Sequence, residues 1–247
     1  MTLEGRVAVV SGIGAGIGHA ACLKLLELGA DVIGTDIVEE EALDSAFRAY
    51  PRLAYKKVDM ADEAQVGELF AFVDEQYGRL DILLNIVGGW RNAALIEDTA
   101  FDHWRSIMSL NTDSVFLACR AAVPLMRRNK YGRIVNFSSI AGRQPHVRST
   151  IAYPASKAAV VGMTMYLAGE VALDGITVNA VAASTTLTPR ARGNLSQEKI
   201  DKIIAKIPVG RLGETSDSVN AILFFISEQS DYITGQTVDV NGGLFMK

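Results

Sequence analysis

Tyr153 and Lys157 stand four residues apart in YPASKAAVVGMTMYLAGEVAL (153–173), a spacing that puts both on one face of a helix. An ordinary tyrosine titrates at about pH 10, too high for a base at neutral pH. A cation one turn away favours the phenolate and lowers that value. The pair is suited to taking a proton from a hydroxyl or returning it. A second group of residues is suited to a phosphate-bearing ligand. VVSGIGAGIG (9–18) carries glycine at 12, 14, 16 and 18, more than an ordinary turn requires. The run is not G-x-G-x-x-G. Nor is it a Walker loop, because Gly18 is followed by His19-Ala20.

These residues need a scaffold. The chain has 247 residues, 49% of them hydrophobic, enough for one large α/β domain. Short Val- and Ile-rich runs at 6–12, 31–36, 53–59, 80–88, 133–139, 176–182 and 236–240 read as strands. Helical patterns at 18–29, 39–50, 63–78, roughly 100–128 and 153–173 separate them. Strands alternating with helices imply a doubly wound (Rossmann) parallel sheet of about seven strands, with helices on both faces. No linker, repeat or composition shift divides the chain, so 1–247 reads as a single domain.

On that fold the glycine run joins the first strand to the first helix, where a pyrophosphate docks on a helix N-terminus. Gly12 permits the turn, and Gly16 and Gly18 allow close backbone approach. The alternative is a glycine-rich turn with no ligand. Asp36 ends the second strand, 18 residues after Gly18. There a carboxylate accepts hydrogen bonds from adenosine ribose hydroxyls and repels a 2′-phosphate. Ala15 and Ile37 supply no cation for such a phosphate. The expected cofactor is NAD and not NADP, the alternative for Asp36 being a turn cap.

Composition excludes other classes. The net charge is −4 with no basic tract, which argues against nucleic acid. The three histidines, His19, His103 and His146, have no metal-ligand spacing, so no metal is expected. Two cysteines in apolar stretches, Cys22 and Cys119, fit a reducing cytoplasm. The acidic N-terminus is not a signal peptide, and no run of about 20 apolar residues points to a membrane.

The motifs together resemble the short-chain dehydrogenase/reductase family over almost the whole chain. Ser11-Gly12-x-x-x-Gly16-x-Gly18 looks like the family's T-G-x-x-x-G-x-G, and Tyr153-Pro-Ala-Ser-Lys157 like its Y-x-x-x-K. Asn136-Phe137-Ser138-Ser139 sits where the family carries its active-site serine, and Leu110-Asn111 matches its helix asparagine. YITGQTVDVNGG (232–243) is similar to its C-terminal signature. Two segments depart from the family. Asn85-Ile86-Val87-Gly88 stands for N-N-A-G, and Ala183-Ser184 for Pro-Gly.

The resemblance implies hydride exchange between NAD and a secondary alcohol or ketone, with Tyr153 as acid/base. It implies that Lys157 also binds the nicotinamide ribose and that Ser139, preferred over Ser138 by its spacing to Tyr153, holds the substrate oxygen. It implies that Asn111 holds a water linking Lys157 to solvent, the alternative being a backbone-bonding residue at a kink. The cofactor set extends to Ile17, Asp59, Met60, Asn85, Gly88, Thr186 and Thr188. Asp59 would meet the adenine, a helix N-cap being its alternative. The rival readings are a 3-oxoacyl-carrier-protein reductase and a non-catalytic NAD-binding regulator.

Specificity on such a scaffold belongs to loops. Those of interest are Gly89-Trp90-Arg91, Arg143-Gln144-Pro145-His146-Val147-Arg148, and Thr188-Pro189-Arg190-Ala191-Arg192 within a substrate loop or lid at about 184–210. Trp90 offers a flat apolar wall, and Ile200, Ile203, Ile204 and Ile207 an apolar lid face. The expected small-molecule substrate is apolar or ring-bearing. An anionic tail on the loop arginines is the alternative, although loop arginines are usually solvated. Small apolar residues along 100–128 and 153–173, which the family pairs across subunits, imply a homotetramer.

Overall fold

The computed structural model describes residues 1–90, 92–144, 149–188, 191, 193 and 196–246. Seven strands form one parallel sheet in the order β3-β2-β1-β4-β5-β6-β7. They are β1 (Val7–Ser11), β2 (Asp31–Asp36), β3 (Leu53–Lys57), β4 (Ile82–Asn85), β5 (Gly132–Ser139), β6 (Ile176–Ala183) and β7 (Thr237–Val240). Among the described residues the α-helices are α1 (Gly16–Glu27), α2 (Glu63–Tyr77), α3 (Phe101–Met108), α4 (Ser114–Asn129), α5 (Ala152–Val171), α6 (Gln197–Ile204) and α7 (Thr215–Ile226). The order reverses between β1 and β4, so a crevice opens at the carboxyl ends of those two strands.

Side chains alternate across each strand and build two cores. Val7 and Val9 of β1 face one side with Leu83, Ile134 and Val178, beneath α2, α4 and α5. Ala8 and Val10 face the other with Leu84, Val135 and Val181, beneath α1 and α7. All seven expected strands form, with ends shifted by a few residues.

Two helical expectations are corrected. Residues 39–50 fold not as a helix but as two short 3₁₀ turns, Glu40–Ala42 and Ser45–Ala49. Phe47 alone is buried in them, so no apolar stripe holds a longer helix against the sheet. The stretch 100–128 is not continuous. A five-residue π turn, Ser109–Asp113, separates α3 from α4 and contains Asn111. The periodicity also passes over α7, which a capping box between Glu214 and Asp217 starts.

At the amino ends of the strands, the carboxylate of Asp81 binds three elements. It accepts from Val7 N (2.9 Å), Arg6 (3.0 Å) and Arg79 Nε (2.9 Å), and the residue is wholly buried. Arg6 and Arg79 reach solvent, which tempers the value of their ion pairs. The Val7 amide has no such outlet. Asp81→Ala is expected to cost about 2 kcal/mol through unpaired groups. That lowers Tm by about 4–8 °C in a domain of this size. Denaturant titration would measure it, and a loss below about 0.5 kcal/mol would contradict the assignment.

Candidate active site

The glycine loop is built by close approach. A Cβ on Gly18 would lie 2.0 Å from the Gly12 carbonyl oxygen, so α1 packs on β1 only through glycine. Gly12 and Gly16 have φ of +79° and +66°, where other residues are strained. Gly12 N and Ile13 N donate to Thr35 O, tying the loop to β2. Ser11 Oγ accepts from Ile86 N and Val87 N and donates to Leu84 O, tying it to β4. The residue before α1, Ala15, makes no side-chain cap, and the first turn holds no acid. Its amides are oriented toward an anion.

Asp36 overhangs this loop. One carboxylate oxygen accepts from Gly14 N (2.8 Å) and the other from Ile37 N (2.7 Å), and a Cβ on Gly14 would meet the first at 2.9 Å. Lys57, in register with Asp36 on β3, is paired with Glu39. Thr188 lies across the loop, its methyl 3.2 Å from a Cβ built on Gly16. The glycines, Asp36 and Thr188 thus form a tight cradle, closed to a side chain by backbone at Gly18 and crowded by Asp36 at Gly14 and Thr188 at Gly16, which fits a dinucleotide.

Five other candidate cofactor residues are situated differently. Met60 is in the core, and the Asn85 amide donates to Asn136 (2.8 Å), so these two would serve a nucleotide by backbone. Ile17 packs on the core beneath α1. Thr186 Oγ1 donates to Ser184 O (3.2 Å), and the backbone around Thr186 forms a β-bridge with Gly213. Asp59 is exposed and accepts from Ala61 N, whereas Asp62 caps α2, which removes the N-cap alternative for Asp59.

The candidate proton-handling groups meet at the carboxyl ends of β4 and β5. Lys157 is buried, and its Nζ donates to Phe137 O (2.8 Å). A Cβ on Gly88 would lie 2.8 Å from that Nζ and 2.6 Å from Asn111 Oδ1, so Gly88, Lys157 and Asn111 converge on one point. Burial pushes the Lys157 ammonium down to about 8. Tyr153 lies one turn earlier, its ring centroid 6.4 Å from that of Trp90 at 48°.

The two serines separate cleanly. Ser138 Oγ donates to Lys157 O (2.8 Å), welding β5 to α5 in the interior. Ser139 is half-buried on the opposite side of the strand, and its Oγ accepts from Ala141 N, which leaves its proton to give. Asn111 bonds to backbone at the π turn, as the alternative expected for it has it. Its Nδ2 donates to Gly89 O and Ile107 O, and Oδ1 accepts from Gly89 N. Both donors are taken, so a water there has an Oδ1 lone pair available and not the amide protons.

Of the loop arginines, Arg143 is also corrected. Its Nε lies 3.3 Å from Asp239 Oδ1 and its Nη1 donates to Thr237 O, which pins it to β7 and away from a substrate anion. Arg91, Pro145, His146, Val147, Arg148, Pro189, Arg190 and Arg192 lie outside the described residues. Sequence reasoning missed Thr164, which accepts from Asn136 Nδ2 (2.9 Å) and completes a buried polar chain from Asn85. It also missed Gly142, where a Cβ would lie 2.5 Å from the Lys157 backbone. Among the described residues no group of three His, Cys, Asp or Glu is placed to hold a metal ion. No described helix is long and apolar enough to cross a membrane.

The buried lysine gives a pH test. Below about 8 both folded and unfolded Lys157 carry the proton, but between about 8 and the ordinary 10.5 only the unfolded chain does. Stability relative to Lys157→Met must then rise with pH across that window, by roughly 1.4 kcal/mol per unit. Urea titrations of both proteins would measure the difference, and a flat difference would contradict it.

A family profile described as Enoyl-(Acyl carrier protein) reductase matches residues 12–245. The 3-oxoacyl-(acyl-carrier-protein) reductase FabG of Thermotoga maritima is 37% identical over 248 aligned positions, covering 99% of each chain. That of Escherichia coli K12 is 35% identical over 100% of each. The crystal structure of a putative gluconate dehydrogenase from Agrobacterium tumefaciens superposes with a TM-score of 0.91 at 27% identity, covering 98% of this chain and 97% of the other. Matches of this length and identity, on a sheet of this order, place the chain in the short-chain dehydrogenase/reductase family of oxidoreductases.

Proposed function

We propose that the protein transfers a hydride between NAD(H) and a secondary alcohol or ketone. The observation that carries this reading is the convergence of Lys157 Nζ, Asn111 Oδ1 and Gly88, one helical turn from Tyr153. The bound nicotinamide would supply the hydride acceptor or donor. The chain's own residues handle the proton. Tyr153 takes it from the hydroxyl in oxidation and returns it to the carbonyl oxygen in reduction. Lys157, as a cation, favours the phenolate and binds ribose hydroxyls. Ser139 donates to the substrate oxygen and fixes it beside Tyr153. Asp36, with Lys57 already paired, favours ribose hydroxyls over a 2′-phosphate.

Trp90, 36% exposed and beside Tyr153, supports an apolar or ring-bearing substrate. Ile200, Ile203 and Ile204 on α6, with Ile207 buried, support a lid across 184–210. Exposed Phe116, Met165 and Tyr166 on α4 and α5 support a homotetramer. The free, buried Cys22 and Cys119 support a cytoplasmic setting.

A second reading is favoured by the names of the relatives, reduction of a 3-oxoacyl thioester by the same residues. Against a carrier held by charge, the arginines of α4 are paired: Arg120 with Glu63, Arg127 with Asp174, Arg128 with Asp74.

Initial rates with NAD and NADP over a panel of secondary alcohols, and with NADH and NADPH on a 3-oxoacyl thioester, test both readings. NAD is expected to give a kcat/KM at least about tenfold higher, and Asp36→Ala to narrow the gap. Comparable values in the wild type would overturn the NAD assignment, and turnover of the thioester in preference to the alcohols would select the second reading.

A further inference from the structure

The amino ends of the strands hold a cavity of about 390 Å³, walled by Arg6, Tyr131, Arg133, Thr177, Glu228 and Asp231 among others. It lies at the opposite end of the sheet from Tyr153. Strand β5 runs from Arg133 at the cavity to Ser139 at the active site, about 20 Å at the usual rise.

The Tyr131 ring is held between two guanidinium groups, with Arg6 Cζ 3.9 Å and Arg133 Cζ 4.4 Å from its centroid. Their situations differ. Arg6 is matched by Asp81 and Glu228. Arg133 is only 4% exposed, yet among the described residues no carboxylate lies within salt-bridge distance of it. Its Nη1 donates to the carbonyls of Gly132 (3.0 Å) and Gly175 (3.4 Å). Its Nε–H and both Nη2 protons have no acceptor among the described residues. Thr177 stands in register with Arg133 on β6 and so on the same face. It is 6% exposed, and its hydroxyl is also unpartnered.

A buried charge is normally paired, and a buried hydroxyl normally bonded. Two such groups in register, just beneath the wall of a cavity of this size, call for one acceptor. We propose that this cavity is a binding site for a small molecule carrying one oxyanion group, a carboxylate or a phosphate ester. The Arg133 guanidinium supplies the charge and a planar pair of donors, and Thr177 supplies a further donor. Glu228 and Asp231 stand exposed at the rim, so a second anionic group on the ligand is repelled. The site uses no residue of the hydride-transfer centre and does not depend on the function proposed above.

Isothermal titration of the full chain with acetate and with inorganic phosphate, against chloride at matched ionic strength, tests it. At least one probe is expected to bind one-to-one, and the tighter of the two identifies the group as carboxylate or phosphate. Arg133→Met should weaken binding by about tenfold or more, and Thr177→Val by a smaller factor. Glu228→Gln, at an exposed position, should tighten it severalfold and serves if the Arg133 variant fails to fold. The proposal is overturned if neither probe binds the wild type at tens of millimolar. It is overturned equally if Glu228→Gln leaves affinity unchanged, or if Arg133→Met does, which would place the anion on the glycine loop.

Discussion

Lys157 is a buried cation, and the geometry of the active centre follows from keeping it so. An ammonium in the interior requires acceptors, and here the Phe137 carbonyl at the end of β5 supplies one. Ser138 joins the Lys157 backbone to the same strand, so the helix that carries the lysine cannot slide on the sheet. Gly142 lets the chain beyond β5 pass against that helix, and Gly88 leaves open the space that a side chain would share with Nζ. Asn111 holds Gly89 by its amide and carbonyl together, fixing the backbone that leads into Trp90. The π turn is the local cost of aiming that asparagine inward.

The glycine loop meets the same constraint from the other side of the crevice. Helix α1 and strand β1 approach so closely that Gly18 abuts the Gly12 carbonyl, and Ser11 clamps the loop to the chain leaving β4. A ligand cradled there is directed toward Gly88 and Lys157 by the reversal of strand order between β1 and β4. The family's chemistry and its fold are coupled at this crevice. The strands that carry Ser139, Gly88 and the glycine loop are neighbours because the sheet is wound outward from it.

The strands, the glycine cradle, Tyr153 and Lys157 were legible in the sequence because each has a local signature: β-branched runs, glycine spacing, an i,i+4 pair. Residues 39–50 misled because three consecutive glutamates and scattered apolar residues imitate helix composition without giving a stripe to bury. The break at Ser109–Asp113 was legible only as the alternative of a kink at Asn111, because a π turn has no composition of its own; it depends on Asn111 finding Gly89 and Ile107. The polar chain through Asn85, Asn136 and Thr164 joins residues far apart in sequence, so only the folded register reveals it. Arg143 read as a candidate for a substrate anion because nothing nearby in sequence announces Asp239. The spacing that distinguishes Ser139 from Ser138 corresponds in the fold to strand alternation, which turns Ser138 into the interior and bonds it to the Lys157 backbone.

The central claim is that Tyr153 exchanges the proton, with its phenolate favoured by Lys157. Tyr153→Phe preserves the ring that faces Trp90 and removes the hydroxyl alone. Its kcat should fall by about 10²–10⁴-fold, the usual worth of a positioned acid or base. Cofactor affinity, measured alongside by fluorescence titration, should be nearly unchanged. A Phe variant that retains cofactor and turns over within about tenfold of wild type would contradict the account.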